Sequence, residues 1–266
     1  MSASRLLEMF PSDVEAALES GNDVAIVPIY SIEQHGPHLL LGTDSYGDEA
    51  LVHELGRITG GMVLPAIPFS WVGCTNAFSG GVGVREAEFI RYLRAVVRGL
   101  WRAGFRRIVI WNGHGGNYYA MQTFPHEVFR EDGIPVLTVY GLSDYPGAWK
   151  EAYEAGGEAA LLAGALRMLG REDLVQKIIE TNRKAIAEFG DRPKVQLDPP
   201  AARESRKLGV VGHDYSHECL HVQPDSNLDP DKGAEVIKKV AGHVAGILED
   251  FGRYVKRLIE EGKVKP

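Results

Sequence analysis

Short apolar runs alternate with longer amphipathic stretches along the chain. Four brief, mostly apolar runs bounded by turn residues predict β-strands, at residues 23–29, 62–69, 108–112 and 134–140. Apolar positions at helical spacing predict helices over residues 11–21, 45–60, 85–104, 118–130, 158–169, 174–189 and 230–258. Ser12 is the predicted cap of the first helix, with Glu15 three residues later as in a capping box.

The alternation of strands and helices predicts an α/β fold with a mainly parallel central sheet. Neither an internal repeat nor a linker interrupts residues 1–266, so we expect one domain. Right-handed crossovers bring the carboxyl ends of parallel strands to one edge of the sheet, where functional loops collect. Two polar segments follow predicted strands and are expected at that edge, residues 30–45 and 112–117.

Composition narrows the range of partners. The net charge of −7, from 29 basic and 36 acidic residues, gives no electrostatic reason to expect nucleic acid or an anionic membrane surface. No run of about 18 apolar residues occurs, so no membrane span is predicted. The first residues lack the apolar core of a signal peptide, and the two cysteines are too few for a disulfide framework. We expect a soluble, cytoplasmic protein whose partner is a small molecule.

The segment at residues 30–45 carries the densest set of potential metal ligands, Glu33, His35, His38 and Asp44. Side chains at i and i+2 of an extended chain point the same way, so Glu33 and His35 are expected on one side. The glycine-proline turn that follows lets Asp44 fold back toward them. Carboxylate oxygens beside imidazole nitrogens suit zinc, manganese or iron. The alternative is a polar loop at a strand end, with Asp44 capping the next helix.

Residues 112–117, NGHGGN, form the second candidate segment. Glycines on both sides of His114 let the backbone turn sharply and approach a ligand closely, while the imidazole projects from a strand end. The segment is then either part of a metal site or a tight strand-to-helix turn whose helix N-terminus holds an anion such as phosphate. The second alternative describes a phosphate- or nucleotide-binding module and not an enzyme.

Taken together, these segments resemble the creatininase family, the creatinine amidohydrolase-like enzymes. The resemblance lies in the QHGPH string at residues 34–38, the Thr43-Asp44 pair after it and the NGHGGN segment. The loop at residues 71–81 resembles the family's glycine-rich substrate loop, and weaker marks follow at residues 209–212 and 230–233. The likeness covers nearly the whole chain and implies a three-layer α/β/α fold with a mainly parallel central sheet.

The resemblance also implies a dinuclear metal hydrolase. Two divalent ions are expected per chain, zinc in the first place, with manganese and iron as alternatives. Carried over by motif, Glu33 and His114 hold one ion, His35 holds the other, and Asp44 bridges them. The family is commonly oligomeric, so we expect a homo-oligomer, with a hexamer as one option.

The second ion needs a further carboxylate. Some family members carry it two residues past the histidine of the NGH motif, where this chain has Gly116. The AGGE string at residues 155–158 resembles a HisAlaGlyGlu helix start in other members, which makes Glu158 the candidate fifth ligand. The alternative for Glu158 is an ordinary first-turn glutamate that faces the helix dipole.

The chain departs from the family pattern at the acid–base group. Ala155 replaces the histidine that opens the HisAlaGlyGlu motif, and Ala160 replaces an acidic residue of that helix. Three side chains remain as candidate catalytic groups: His38, Glu158 and His213, the last within the histidine-rich string GHDYSHECLH. Candidate substrate contacts come from the two glycine-rich loops: Trp71, Asn76, Phe78, Ser79, Gly115 and Gly116. Trp71 and Phe78 have the alternative of simple packing.

The function that the resemblance implies is attack by an activated, metal-bound hydroxide on the C–N bond of a small cyclic amide or formamide. An alternative enzyme opens the ring of a cyclic ketone or a polyol-derived diketone by the same attack, with carbon as the leaving group. Creatinine itself is disfavoured, because the carboxylate after the NGH motif and the usual histidine are both replaced.

Overall fold

The computed structural model describes residues 4–73, 75, 78–193 and 222–264. Its centre is a five-stranded sheet in which every pairing is parallel, in the order β1-β3-β2-β4-β5. The strands are β1 Ser4–Arg5, β2 Val24–Ile29, β3 Met62–Val63, β4 Arg107–Asn112 and β5 Val136–Val139. The predicted α/β class with a mainly parallel sheet is therefore confirmed.

Nine α-helices lie in the described parts of the chain. They are α1 Pro11–Glu19, α2 Thr43–Thr59, α3 Glu86–Arg102, α4 Asn117–Met121, α5 Phe124–Asp132, α6 Ala148–Ala155, α7 Gly157–Met168, α8 Glu172–Phe189 and α9 Pro230–Glu260. Two short 3-10 turns, Leu6–Glu8 and Gly141–Asp144, join some of these elements. Across the described residues, no helix combines the length and the apolar character that crossing a membrane requires.

Side-chain alternation in the central strands creates the three layers. Val24 and Ile26 of β2 join a buried cluster with residues of α2, α6, α7 and α9. Ala25, Val27 and Ile29 join a second cluster on the opposite face, with residues of α3 and α5. Because successive side chains of a strand point to opposite faces, one apolar strand supplies both cores.

Proline explains two places where the elements differ from the sequence prediction. The strand expected at residues 62–69 pairs regularly only at Met62–Val63, with one isolated bridge between Ile67 and Ile29. Pro65 and Pro68 lie in this run and have no N–H to give to a sheet. The helix expected over residues 118–130 is two helices, α4 and α5, with Pro125 in the first turn of the second.

The first helix begins differently from the prediction. Its cap position is Phe10, and Pro11 is the first helical residue. Ser12 is therefore not the cap, and the reciprocal bond comes from Asp13, whose carboxylate accepts from the Phe10 backbone N–H at 2.9 Å. A proline at the first helical position is favourable because its missing N–H has no partner there in any case.

Two elements escaped the sequence prediction. Helix α6 buries alanines, Ala148, Ala152 and Ala155, so its apolar face is weak in the sequence. Strand β1 has two exposed residues and joins the sheet only at its edge, beside β3. Neither element has enough apolar surface to produce a clear pattern.

Helices α7 and α9 cross at close range because small residues lie at the crossing. A Cβ added to Gly164 would overlap the backbone nitrogen of Ala234, and one added to Gly233 would overlap the carbonyl oxygen of Ala160. The crossing holds α7 in place, and the first turn of α7 carries Glu158.

Candidate metal centre

The candidate centre lies at the carboxyl ends of β2 and β4, the two neighbouring strands in the middle of the sheet. The chain leaves β2 toward β3 on one side and later enters β4 on the other side. A parallel sheet leaves a crevice at such a change of direction, and ligands commonly bind there. The segment after β2 contributes Glu33 and His35, and the segment after β4 contributes His114.

Asp44 lies between two buried histidines. Its Oδ1 is 3.0 Å from Nε2 of His35, and its Oδ2 is 3.1 Å from Nδ1 of His114. The hydroxyl of Ser31 donates to Oδ2 at 2.9 Å. Asp44 belongs to the first turn of α2, where the helix dipole favours a negative charge. The predicted alternative, Asp44 as a helix cap, does not hold because Gly42 occupies the cap position.

Glu33 completes one compact group with Asp44 and His114. Its Oε1 is 2.6 Å from Nδ1 of His114, and its Oε2 accepts a hydrogen bond from the Thr75 hydroxyl. One potential ligand atom from each of the three residues lies within 4.8 Å of the other two. The group is buried apart from Asp44, which is partly exposed.

Glu158 approaches the centre from the start of α7. Its Oε2 lies 3.8 Å from Nε2 of His35, as does Oε1 of Glu33. The turn before α7 depends on Gly156, whose φ is +115° and where a Cβ would lie 2.5 Å from the Cα of Leu228. The structure thus brings all five sequence-predicted ligand candidates together: Glu33, His35, Asp44, His114 and Glu158.

The carboxylates govern the charge of the two histidines. Burial lowers the pKa of His35, but the nearby Asp44, Glu158 and Glu33 outweigh it and raise the pKa to about 10. Burial likewise lowers the pKa of His114, and Glu33 and Asp44 raise it to about 10. Burial opposes the charge of Asp44, yet the two histidines hold its pKa well below the usual range. Without metal, both imidazoles are therefore protonated at neutral pH.

An asparagine network supports the His114 loop and escaped the sequence prediction. The Asn112 side chain donates to the His114 carbonyl oxygen at 2.9 Å and accepts from the Asn117 side chain at 3.0 Å. Asn117 in turn accepts from the backbone N–H of Trp71 at 3.2 Å. The two asparagines of NGHGGN thus tie the loop to the glycine-rich segment at residues 71–81, and their presence in the motif was the available signal.

The predicted substrate contacts fall in different environments. Trp71 is half-buried, Phe78 is buried and Ser79 is exposed, while Asn76 lies outside the described residues. A Cβ on Gly115 would meet nothing within 4 Å, whereas a Cβ on Gly116 would overlap Nε2 of His114. That nitrogen has no hydrogen-bond partner within the described ranges.

The predicted catalytic residues are also divided. His38 is buried, and its carbonyl oxygen accepts from the Thr181 hydroxyl of α8 at 2.7 Å. Burial, aided by repulsion from His35 and offset in part by the backbone of Gln223, lowers the pKa of His38 to about 4. Its imidazole is therefore neutral at pH 7. His213 and the histidine-rich string around it lie outside the described residues.

Asp48 is a buried carboxylate that the sequence prediction missed. Burial and repulsion from Asp44 raise its pKa well above the usual range, against hydrogen bonds from Trp111 and Gly113. The signal was its position four residues after Asp44, which places the two on the same face of α2.

The family model of the creatininases, described as creatinine amidohydrolase, matches residues 8–247. The chain belongs to the creatininase family. The resemblance in the sequence is therefore confirmed. Membership of a family of enzymes argues against the phosphate- or nucleotide-binding module.

Curated relatives match parts of the chain. The chain is 33% identical to 3-dehydro-scyllo-inosose hydrolase of Thermotoga maritima over 101 residues, and this matched stretch covers 36% of the chain and 31% of that protein. It is 28% identical over 147 residues to creatinine amidohydrolase of Pseudomonas putida, covering 52% and 53%. It is 29% identical over 143 residues to a mycofactocin precursor peptide peptidase of Mycobacterium ulcerans, covering 50% and 52%. The matched stretches thus span between 31% and 53% of the relatives' length.

Solved creatininase structures match the fold over most of the chain. A creatinine amidohydrolase superposes with a TM-score of 0.72 at 20% identity, covering 94% of this chain and 98% of the other. A creatininase variant of the Zn-Zn type gives 0.72 at 20% identity, with 94% and 99% covered. A manganese creatininase gives 0.67 at 20% identity, with 99% and 100% covered. The likeness confirms the creatininase fold.

Proposed function

We propose that this chain is a hydrolase that uses two divalent metal ions to cleave the C–N bond of a small cyclic amide or formamide. The observation that carries the proposal is the position of Asp44. Its two oxygens face two different buried histidines, at 3.0 and 3.1 Å. A carboxylate in this position suits the bridge of a two-metal site, in which the ions lie about 3.5–4 Å apart.

The side chains around Asp44 suit divalent ions. We assign Glu33, His114 and Asp44 to one ion, because their ligand atoms lie within 4.8 Å of one another. We assign His35, Asp44 and Glu158 to the other. Mixed carboxylate and imidazole ligands suit zinc first, with manganese or iron as alternatives. The carboxylates outnumber the imidazoles, so the centre carries negative charge even with both histidines protonated, and divalent cations would neutralise it.

Two hydroxyl groups orient the proposed ligands. Thr75 donates to Glu33, and Ser31 donates to Asp44. Each bond leaves the other carboxylate oxygen directed at a histidine, which keeps the ligand geometry ordered before metal arrives. When bound, the two ions would lower the pKa of a water molecule toward neutrality and polarise the substrate carbonyl.

Proton transfer falls to other side chains. His38 is neutral at pH 7 because its pKa is lowered to about 4, so it cannot donate a proton there and is only a weak base, and its catalytic role stays a prediction. Glu158 has 28% of its side chain exposed, which leaves it open to exchange a proton with a substrate as well as to hold metal. The role of His213 stays a prediction, as do those of the substrate contacts Trp71, Asn76, Phe78, Ser79, Gly115 and Gly116.

A second candidate reaction is the ring opening of a cyclic ketone or polyol-derived diketone. The 33% identity with 3-dehydro-scyllo-inosose hydrolase favours it. The identities of 28% with creatinine amidohydrolase and 29% with a peptide peptidase favour C–N cleavage. Creatinine itself is not the proposed substrate, because Gly116 and Ala155 replace side chains that the family motifs carry.

Metal content tests the proposal. We expect elemental analysis of zinc-loaded, desalted protein to find close to two ions per chain, and close to one after Glu158→Ala. The matched control is Glu154→Ala, which removes a carboxylate that lies 3.9 Å from Lys150 on the exposed side of α6. Wild-type protein that takes up neither zinc nor manganese would contradict the proposal. Two ions retained in Glu158→Ala would keep the enzyme and reject Glu158 as a ligand.

A substrate panel separates the two reactions. Zinc-loaded protein is offered cyclic amides, formamides and cyclic polyol ketones, with Glu33→Gln as the inactive control. Release of ammonia, amine or formate from the first two classes indicates C–N cleavage. Formation of an acid from the ketones without release of nitrogen indicates C–C cleavage.

The cytoplasmic location and the homo-oligomeric state stay predictions, and light scattering tests the homo-oligomeric state.

A further inference from the structure

Asp48 lies one helical turn after Asp44, within the same helix, α2. Residues four apart on a helix share a face, so α2 presents two carboxylates to the end of β4. Asp44 faces the histidines, whereas Asp48 is 3% exposed and turns toward the backbone that leads into His114. Asp48 is not one of the proposed metal ligands, so metal binding alone does not explain why its carboxyl group is buried.

Both oxygens of Asp48 accept hydrogen bonds from the β4 end. The indole Nε1 of Trp111 donates to Oδ1 at 2.8 Å, and the backbone N–H of Gly113 donates to Oδ2 at 3.0 Å. A Cβ added to Gly113 would overlap the Asp48 carboxylate. The glycine therefore permits the close approach, and the approach directs its N–H at α2.

We propose that Asp48 is a positioning residue, which holds Gly113 against α2 and thereby sets His114 at the correct distance from Asp44. This inference rests on the proposed function, because it takes His114 and Asp44 as metal ligands. Asp48 connects them by a short path: one helical turn separates it from Asp44, and one peptide bond separates Gly113 from His114.

The loop needs such a restraint. His114 has glycine on both sides, and glycine leaves the backbone more conformational freedom than any other residue. Nδ1 of His114 must face both Asp44, at 3.1 Å, and Glu33, at 2.6 Å. The Asn112 side chain binds the His114 carbonyl oxygen, and Asp48 binds the Gly113 N–H. The two side chains therefore restrain the peptide groups on either side of the Gly113–His114 peptide bond. Outer hydrogen bonds of this kind typically contribute about 10- to 100-fold to metal affinity.

The decisive variant is Asp48→Asn. An amide of the same size offers one acceptor and one donor, so it cannot accept from both Trp111 and Gly113. The matched control is Glu49→Gln, which makes the same replacement of a carboxyl group by an amide at the next position of α2, beside the cavity lined by Tyr30 and His53. Zinc affinity is measured by chelator competition, and exchange of the Gly113 amide hydrogen is measured in the metal-free protein by NMR.

We expect Asp48→Asn to raise the zinc Kd at least about tenfold and to accelerate exchange at Gly113, with Glu49→Gln close to wild type in both. Trp111→Phe keeps the bond to Gly113 while removing more buried volume, so it should destabilise the protein more and weaken zinc less. If Trp111→Phe were instead the more destabilised variant and also lost more zinc affinity than Asp48→Asn, zinc affinity would simply track stability. Asp48 would then be merely structural, and the proposal would be overturned.

Two further outcomes separate this inference from the proposed function. If wild type binds zinc and Asp48→Asn binds it equally well, the positioning role is wrong and the hydrolase proposal stands. If wild type binds no zinc but Asp48→Asn still accelerates exchange of the Gly113 amide hydrogen, the metal proposal is wrong. The restraint of the loop by Asp48 then stands. Should Asp48→Asn not fold, Asp48→Glu serves instead: its longer side chain keeps the charge but cannot place its oxygens on both donors without displacing Gly113.

Discussion

Adjacent glycines of the NGHGGN segment have different surroundings. A Cβ on Gly116 would overlap Nε2 of His114, and a Cβ on Gly115 would meet nothing within 4 Å. The sequence predicts from this segment only a sharp turn and a close approach to a ligand. Which glycine is needed, and which side chain it makes room for, depends on how the His114 ring is held by Glu33 and Asp44.

Gly116→Ala therefore tests the site at the scale of one methyl group. The backbone of Gly116 is helical, with φ −60°, so alanine brings no backbone strain there. The methyl group must instead rotate the imidazole away from Asp44 and Glu33. We expect zinc affinity, measured by chelator competition, to fall about tenfold or more, as is typical when a group that orients a metal ligand is changed. Gly115→Ala is the control and should bind zinc like wild type. Equal affinities for the two variants would contradict the described position of the ring.

At the scale of elements, the crossing of α7 and α9 places Glu158. The two helices share a crossing built from Gly164, Gly233 and Ala160, where backbone meets backbone. Helical periodicity predicts both helices and their approximate ends. It does not predict the crossing, because small residues produce little apolar signal and the partner lies about seventy positions away along the chain.

Alanine at Gly164 should destabilise the protein although alanine favours helices. Its Cβ would meet the backbone nitrogen of Ala234, which cannot rotate out of the way as a side chain can. We expect a loss of about 1–3 kcal/mol in the free energy of unfolding, as is typical of overpacking, measured by urea titration. Gly242→Ala on the exposed side of α9 is the control, since nothing lies within 4 Å of a Cβ there. It should gain about 0.5–1 kcal/mol. Destabilisation of both variants to the same extent would contradict the crossing.

At the scale of the whole molecule, folding keeps the two histidines of the centre charged. The pKa of each is raised to about 10, against about 6.5 for an unfolded histidine. A pKa raised by folding contributes stability that is fully present below about pH 6.5 and is lost as the pH rises through about 10. Zinc requires the neutral imidazole, so its binding competes with these protons.

The metal-free protein should therefore lose stability between about pH 6.5 and pH 10, while the stabilisation by zinc grows over the same range. Urea titrations with and without zinc at several pH values in that window measure both trends. Metal-free His35→Gln is the control, because it removes one of the two titrating groups and should show a shallower fall. A metal-free wild type whose stability is constant across the window would contradict the charge assigned to the centre.

The sequence by itself determined the α/β class, the order of the main elements and the segments that carry the chemistry. Alternating apolar runs and the convergence of parallel strand ends are local or topological rules, so residues 30–45 and 112–117 were expected at one edge. The family motifs then singled out Glu33, His35, Asp44, His114 and Glu158, which the structure brings together.

Only the tertiary structure decided how those side chains are held. The hydrogen bond from Gly113 to Asp48 joins residues 65 positions apart, that from Thr75 to Glu33 spans 42, and that from Trp71 to Asn117 spans 46. No spacing in the sequence specifies such pairs, because each depends on how a helix or loop packs against a distant strand end. The identity of the proposed ligands can thus be predicted from short motifs, whereas their geometry depends on packing between elements.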